Sequence, residues 1–425
     1  MNLSEPWSVK KQISWKTHKL MKLHSRYMKL PFSTLVLMIA VSHFEISGEA
    51  LSATTNENHA DSGFAKGADL SMLQYIEGHG VQYREDGKPK DALAIFKDHG
   101  CNYVRLRLFL QPNGTEGQVN TLDYTVKLAR RIKQSGLRLL LDFHYSDGWA
   151  DPTQQNMPKA WKGLSHKELV QRVYNYTRDT LAAFAKEGCV PDMAQVGNEV
   201  TNGMLWPDGG PFKATWGKDP LKVTGPDGVP VEEETGFDNL VDLLKAGIRA
   251  VRESAPANPI KIMIHVDQGG NQGVSKWFFD NCRKRNLAFD VIGLSYYPIW
   301  HGSMQDIANN LKFLAETYHK DIIVVETGYD TRGGSQGKLP FPLTAAGQKS
   351  FLEALILLVA ATPDGLGKGV FYWAPEWIMG TKWNGPQWSG QWEDRALFDH
   401  SGNMLPALNV YHLNPSTPAD GHTLH

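Results

Sequence analysis

From Gly67 onward, short β-branched apolar runs alternate with longer stretches whose apolar residues recur every three or four positions. The runs cover 68–73, 103–109, 137–143, 193–200, 260–266, 291–297, 322–327 and 370–374, and each stops at polar or aromatic residues. The stretches between them carry helix punctuation. Ser165-His-Lys-Glu168 has the spacing of a capping box; Leu169, Val173, Thr177, Leu181 and Phe184 then share one face, and Gly188 ends the pattern. A second apolar face runs through Leu240, Leu243, Leu244, Ile248 and Val251. Eight near-continuous apolar strands, each followed by a helix, predict one (β/α)8 barrel, a TIM barrel, over residues 60–415. A doubly wound open sheet is the alternative, but no glycine-rich phosphate loop follows the first run to motivate it. The proline- and glycine-rich segment 207–236 reads as a long loop after the fourth strand, on the active face.

The 425 residues are 41% hydrophobic and 21% charged, enough apolar matter for a large core. Lys plus Arg number 44 against 45 for Asp plus Glu, so the net charge of -1 leaves no footprint for a polyanion, and nucleic acid is not an expected partner. That balance hides an asymmetry. Residues 1–30 hold seven Lys/Arg and one acid, Glu5, and residues 31–42 form an apolar run of signal-peptide length, short of the ~20 residues that span a bilayer. Small residues follow at Ser47, Gly48, Ala50, Ser52 and Ala53, so 1–53 is expected to be a signal peptide with an extended basic start, cleaved near Ala50 or Ala53. The mature chain would then be secreted or periplasmic, without stable membrane insertion, and monomeric. Translation starting at Met21 or Met28, an uncleaved anchor, or a buried helix are the other readings of this segment. Residues 416–425 form a polar tail. Three scattered cysteines, Cys101, Cys189 and Cys282, allow at most one bridge and suit neither a disulfide framework nor a zinc site.

Chemistry in such barrels sits at the C-terminal ends of the strands. The residues closing the runs are Arg107, Asp142 with His144, Asn198 with Glu199, His265 with Asp267, Tyr296 with Tyr297, Glu326, and Trp373. Glu199 and Glu326, on the fourth and seventh strands, face each other across the mouth. Cleaving a glycosidic bond with retention needs such a pair at ~5–5.5 Å, one carboxylic acid to protonate the leaving oxygen and one carboxylate to attack the anomeric carbon. At that spacing both do not stay ionised, and one keeps its proton at neutral pH. Either glutamate alone could equally be half of an ion pair; the pair, with Asn198 before the first and aromatics around both, points to catalysis. His144 and His265 with Asp142 and Asp267 have metal-ligand character, yet no His-x-His or other tight chelating pair accompanies them, so no metal and no cofactor is expected.

Leu141-Asp-Phe-His-Tyr-Ser-Asp-Gly-Trp-Ala-Asp-Pro152, Gln195-Val-Gly-Asn-Glu-Val-Thr-Asn-Gly-Met-Leu-Trp-Pro207, Ile262-Met-Ile-His-Val-Asp267, Leu294-Ser-Tyr-Tyr-Pro298 and Val324-Val-Glu-Thr327 together resemble glycoside hydrolase family 53, the arabinogalactan endo-β-1,4-galactanases, in a clan of retaining (β/α)8 hydrolases. The resemblance extends over residues 67–411. It implies that Glu199 is the general acid/base and Glu326 the nucleophile. It further implies that Asn198 binds the sugar 2-hydroxyl, Arg107 lies beside Glu326, one of Tyr296 and Tyr297 does the same with its hydroxyl, and Trp373 floors the subsite. Strand alternation turns only one of the two tyrosines toward the lumen. Asp142, His144, Trp149, Trp206 and His265 complete the expected substrate-binding set.

The chain departs from the family pattern at the rims. Gln268-Gly-Gly-Asn-Gln follows Asp267 where an aromatic is expected, Thr327-Gly-Tyr-Asp330 follows Glu326, and Trp383, Trp388 and Trp392 come late in the chain. Some bacterial members bind calcium between the last two barrel loops, but here 329–342 is short and offers only Asp330, so that site is not carried over. Trp149, Trp206, Trp300 and Trp377, in loops after different strands, predict an open cleft for several sugar units and endo action on galactan. The rivals are a clan relative acting on β-mannan or β-glucan, and a non-catalytic polysaccharide-binding barrel.

Overall fold

The computed structural model describes residues 63–115, 117–212, 233–332, 339–379 and 392–415. The expected export segment 1–53, the tail 416–425, most of the 207–236 loop, and Trp383 and Trp388 lie outside the described residues. The barrel strands are β1 (Ala65–Asp69), β2 (Tyr103–Leu108), β3 (Arg138–Phe143), β4 (Met193–Val196), β5 (Lys261–Val266), β6 (Val291–Ser295), β7 (Asp321–Glu326) and β8 (Gly367–Trp373). All pair in parallel in sequence order, and β8 closes onto β1 with Ala65 opposite Gly369 and Asp69 opposite Trp373. The expected (β/α)8 barrel is what forms.

Eight helices surround the strands: α1 (Leu73–Gly78), α2 (Ala92–Asp98), α3 (Leu122–Gln134), α4 (His166–Lys186), α5 (Glu233–Ser254), α6 (Gln272–Lys284), α7 (Met304–Tyr318) and α8 (Ala345–Ala360). The capping box of Ser165 and Glu168 starts α4, whose buried stripe is Leu169, Val173, Thr177, Thr180, Leu181 and Phe184. α5 begins at Glu233, inside the segment expected to be loop, and puts Leu240, Leu243, Leu244, Ile248 and Val251 into the core. All three cysteines are buried and unpaired.

Every strand differs from its run by at least one residue, β6 ending at Ser295 and β8 beginning at Gly367 among them, and two of the differences have a clear local cause. β1 begins at Ala65 and stops at Asp69, because Leu70–Leu73 turns over into α1, which the apolar run alone could not reveal. β4 stops at Val196, because Gly197 takes φ 86° and Glu199 φ 46°, so Asn198 and Glu199 lie on the turn that leaves the strand.

Inside the barrel, Ala65, Tyr103, Leu140, Met193, Met263, Val291, Ile323, Val325 and Phe371 make a dry floor. Gly67 is required there: a Cβ would lie 2.2 Å from the Phe371 ring. The next inward positions toward the strand C-termini are polar, namely Asp69, Arg105, Asp142, Gln195, His265 and Ser295, each at most 1% exposed. A register shift between β6 and β7 pairs Leu294 with Val324 but Ser295 with Glu326, which breaks the alternation and brings Glu326 into this layer beside lumen-facing Val325.

Candidate active site

A cleft of about 1460 Å³ opens over the polar layer. Its walls include Arg105, Arg107, His144, Trp149, Asn198, Glu199, Trp206, Asp267, Tyr297, Trp300, Glu326, Trp373 and Trp392. Carboxylate oxygens of Glu199 and Glu326 and a ring nitrogen of His265 all lie within 4.8 Å of one another, so the expected pair is brought together.

Each glutamate has its own surroundings. Glu326 accepts from Arg105 Nη1 at 3.2 Å and from Tyr297 Oη at 3.0 Å. Burial pushes its carboxyl up and the Arg105 guanidinium pulls it back, leaving it raised at about 7. Glu199 accepts from Ser295 Oγ at 2.6 Å. Burial, then the charges of Glu326 and Asp267, hold it well above the usual carboxylate range. The guanidinium and phenol beside Glu326 favour its ionised form, and the acids beside Glu199 favour its protonated form. The Glu199 backbone is left-handed (φ 46°, ψ 50°). Gln155 Nε2 supports that turn by donating to the Asn198 carbonyl at 2.8 Å.

The cation beside Glu326 is Arg105 and not Arg107. Arg105 donates to Asp69 at 2.9 Å, Asp142 at 2.8 Å, Asn198 Oδ1 at 2.8 Å and Gln195 Oε1 at 3.2 Å as well as to Glu326. Both arginines face the lumen, being two residues apart on β2, but Arg107 lies one step nearer the mouth. Its guanidinium stacks 4.5 Å from the Trp149 ring centroid and 5.9 Å from that of Trp373, with Asp69 3.6 Å away. The sequence signal that could have found Arg105 is this same alternation, read one position deeper.

Of the two tyrosines, Tyr297 reaches the cleft. Tyr296 points the other way, packs near Phe351 of α8 and donates to the Gly302 carbonyl, so it is withdrawn from the substrate-binding set. Asp142 and His265 are also withdrawn from direct contact: both are fully buried under the cleft. Asp142 accepts from Arg105, His144 and Gln195 Nε2, and against its burial the Arg105 charge holds it below the ordinary carboxylate range. His265, kept neutral by burial and by Arg105, places Nε2 2.9 Å from Ser295 Oγ. His144 does line the cleft, with Nδ1 accepting from the Ala150 N–H at 3.2 Å and Nε2 facing Asp142 at 3.0 Å. Asn198 Oδ1 is taken by Arg105 and Gln195, and Nδ2 gives one N–H to the Ala150 carbonyl at 2.8 Å, which leaves the other for a ligand.

The rim aromatics divide. Trp300 is 53% exposed, and Trp149, Trp373 and Trp392 are partly exposed in the cleft. Trp206 edges the cleft but is almost wholly buried, its Nε1 donating to the Asn202 carbonyl. Trp377 is not a rim residue: it is fully buried behind Trp373, 6.1 Å between ring centroids. As for metal chemistry, Glu199, His265 and Glu326 form the one trio of close ligand atoms among the described residues; Ser295 Oγ engages Glu199 Oε1 and His265 Nε2, and Arg105 and Tyr297 engage Glu326. Asp330 is ion-paired with Arg395.

Ser295 and Arg105 are the functional neighbours that strand-end reading missed, because each lies one inward step below the residue that closes its run. Residues 65–411 match the model of glycosyl hydrolase family 53. A Niallia circulans protein, named for its place in the bgaB 5' region, is 40% identical over 364 residues, covering 82% of this chain and 93% of that protein. The endo-β-1,4-galactanase of Bacillus subtilis is 32% identical over 395 residues, covering 82% and 85%. The solved family 53 catalytic domain from Ignisphaera aggregans is 35% identical with a TM-score of 0.71, covering 83% of this chain and 97% of that one.

Proposed function

The chain belongs to glycosyl hydrolase family 53, and on that premise we propose that it is an endo-acting, retaining β-1,4-galactanase in which Glu199 and Glu326 perform a double displacement. The observation that carries the mechanism is the close approach of the two carboxylates, their oxygens within 4.8 Å, which suits direct attack and leaves no room for the water an inverting pair encloses at ~6.5–9.5 Å. Glu199, holding the proton, gives it to the glycosidic oxygen as the ionised Glu326 attacks the anomeric carbon. Arg105 and Tyr297 orient the attacking carboxylate by charge-assisted hydrogen bonds. A water oxygen then bonds to the anomeric carbon, its proton passes to Glu199, and the bond to Glu326 breaks. The remaining N–H of Asn198 serves the sugar 2-hydroxyl, and Trp373 offers a flat face to the ring's C–H side.

Galactan as substrate is supported by the name of the Bacillus subtilis relative, and an open cleft with Trp149, Trp300, Trp373 and Trp392 along it supports several subsites. Remote subsites can spend binding energy on the scissile bond, so short substrates lose turnover and not only affinity. The test is reducing-sugar release from galactan beside β-mannan and β-glucan, with proton NMR of the first product. Galactan alone should be cut, to β-anomeric oligosaccharides; mannan or glucan as the better substrate would overturn the specificity, and an initial α-anomer the mechanism. The same reading has the enzyme exported with loss of about its first 53 residues, checked by N-terminal sequencing of protein recovered outside the cytoplasm.

A further inference from the structure

The two sides of the cleavage point are charged differently. Around Glu326 the strongest charged influences are Arg105, Asp69 and Asp142, whereas around Glu199 they are all carboxylates: Glu326, Asp267 and Asp151. Asp151 lines the cleft but is occupied by its own turn, Oδ1 accepting from the Thr153 N–H and hydroxyl and Oδ2 from Gln154 Nε2. Asp267 differs. It lies just beyond β5, is 3% exposed and lines the cleft. Its N–H donates to Thr201 Oγ1 at 3.0 Å, and Oδ2 accepts from Gln268 Nε2 at 2.9 Å. Its Oδ1 meets no donor in hydrogen-bonding geometry, although the nearby Thr201 hydroxyl and the residue's own N–H favour its charge. A buried carboxylate oxygen left without a donor is costly, and the groups able to supply one arrive through the cleft.

We propose that Asp267 is the specificity-determining residue of the leaving-group subsite: Oδ1 accepts a hydroxyl of an uncharged sugar there, and the acidic wall it forms with Asp151 turns away sugars that carry a carboxylate. The inference rests on the reading of Glu199 as the acid, because the acid marks the side on which the leaving sugar lies. The same subsite receives an acceptor when the glycosyl-enzyme is resolved by transfer. The acceptor oxygen bonds to the anomeric carbon, the carbon–oxygen bond to Glu326 breaks, and the hydroxyl proton passes to Glu199. Acceptor choice thus reports on Asp267 apart from leaving-group departure.

The experiment loads the enzyme with an activated aryl β-galactobioside at neutral pH and offers galactose or galacturonate, with transfer and hydrolysis products counted by mass spectrometry. Wild type should transfer to galactose at least tenfold more than to galacturonate. Asp267→Asn should lower the transfer-to-hydrolysis ratio for galactose at least tenfold and narrow the preference below threefold. Equal transfer to both acceptors by wild type, or an unchanged ratio in the variant, overturns the inference alone. Wild type inert toward both the aryl substrate and galactan overturns the catalytic reading and the inference with it. The wild-type preference requires no variant, so it decides the matter even if Asp267→Asn does not fold.

Discussion

Glu326 and Glu199 are the same side chain at the same exposure, 9%, and the opposite tasks proposed for them rest on what touches each. Glu326 has a fully engaged guanidinium and a phenol; Glu199 has one serine hydroxyl and further acids. Burial raises both, so burial does not distinguish them. The proposed division of labour follows from the cation of the polar layer, Arg105 on β2, reaching Glu326 of β7, and that placement can be broken one contact at a time.

The heaviest break is Glu326→Ala, expected to lower galactan turnover about 10^5-fold because no covalent intermediate forms, as single-turnover assays would measure. Arg105→Met should come next. It strands Asp69, Asp142 and Glu326 as buried carboxylates without their shared counter-charge, worth about 3–5 kcal/mol, so kcat/KM falls roughly 10^3-fold and the melting temperature drops with it. Loss of activity with unchanged melting would show that Asp69 and Asp142 are compensated elsewhere.

The mildest breaks sharpen the comparison by moving one limb of the pH profile each. In the proposed mechanism the rate needs Glu326 ionised and Glu199 protonated, so Glu326 would govern the acid limb and Glu199 the alkaline limb. Tyr297→Phe removes a donor to the Glu326 carboxylate, raises its pKa from about 7, and should carry the acid limb to higher pH with a loss of about tenfold to a hundredfold at neutrality. Ser295→Ala removes the donor to Glu199, raises that group further, and should carry the alkaline limb to higher pH at a cost of about tenfold or less. A profile in which either change displaced the opposite limb would reverse the two assignments.

These roles were partly readable before any fold was known. Eight near-continuous apolar runs with helices between them specify a barrel, and a barrel assigns meaning to whichever polar residue ends a run, which is how Glu199, Glu326, Asn198 and Trp373 stand out. Depth was not readable. Arg105 and Arg107 have the same parity, and nothing local to the sequence states which of them lies level with Glu326; the stagger of β2 against β7 across the closed sheet decides it. The inward turn of Glu326 next to Val325 depends on a register shift between two strands, a pairwise property that no single run encodes. Trp377 and Trp149 look alike as loop tryptophans, and only the packing behind Trp373 separates a buried plug from a cleft wall.

The left-handed backbone of Glu199 makes one residue a point where durability and purpose oppose each other. A side chain with a Cβ is strained at φ 46°, and this one also brings a second carboxylate beside Glu326. Glycine relaxes at such dihedrals, and the side chain it removes lines the cleft, bonded to the Ser295 hydroxyl alone. Glu199→Gly should therefore resist heat better than the parent, by roughly 1 kcal/mol at the melting midpoint, while cutting no polysaccharide. Heat resistance and the proposed acid thus compete for the same backbone position.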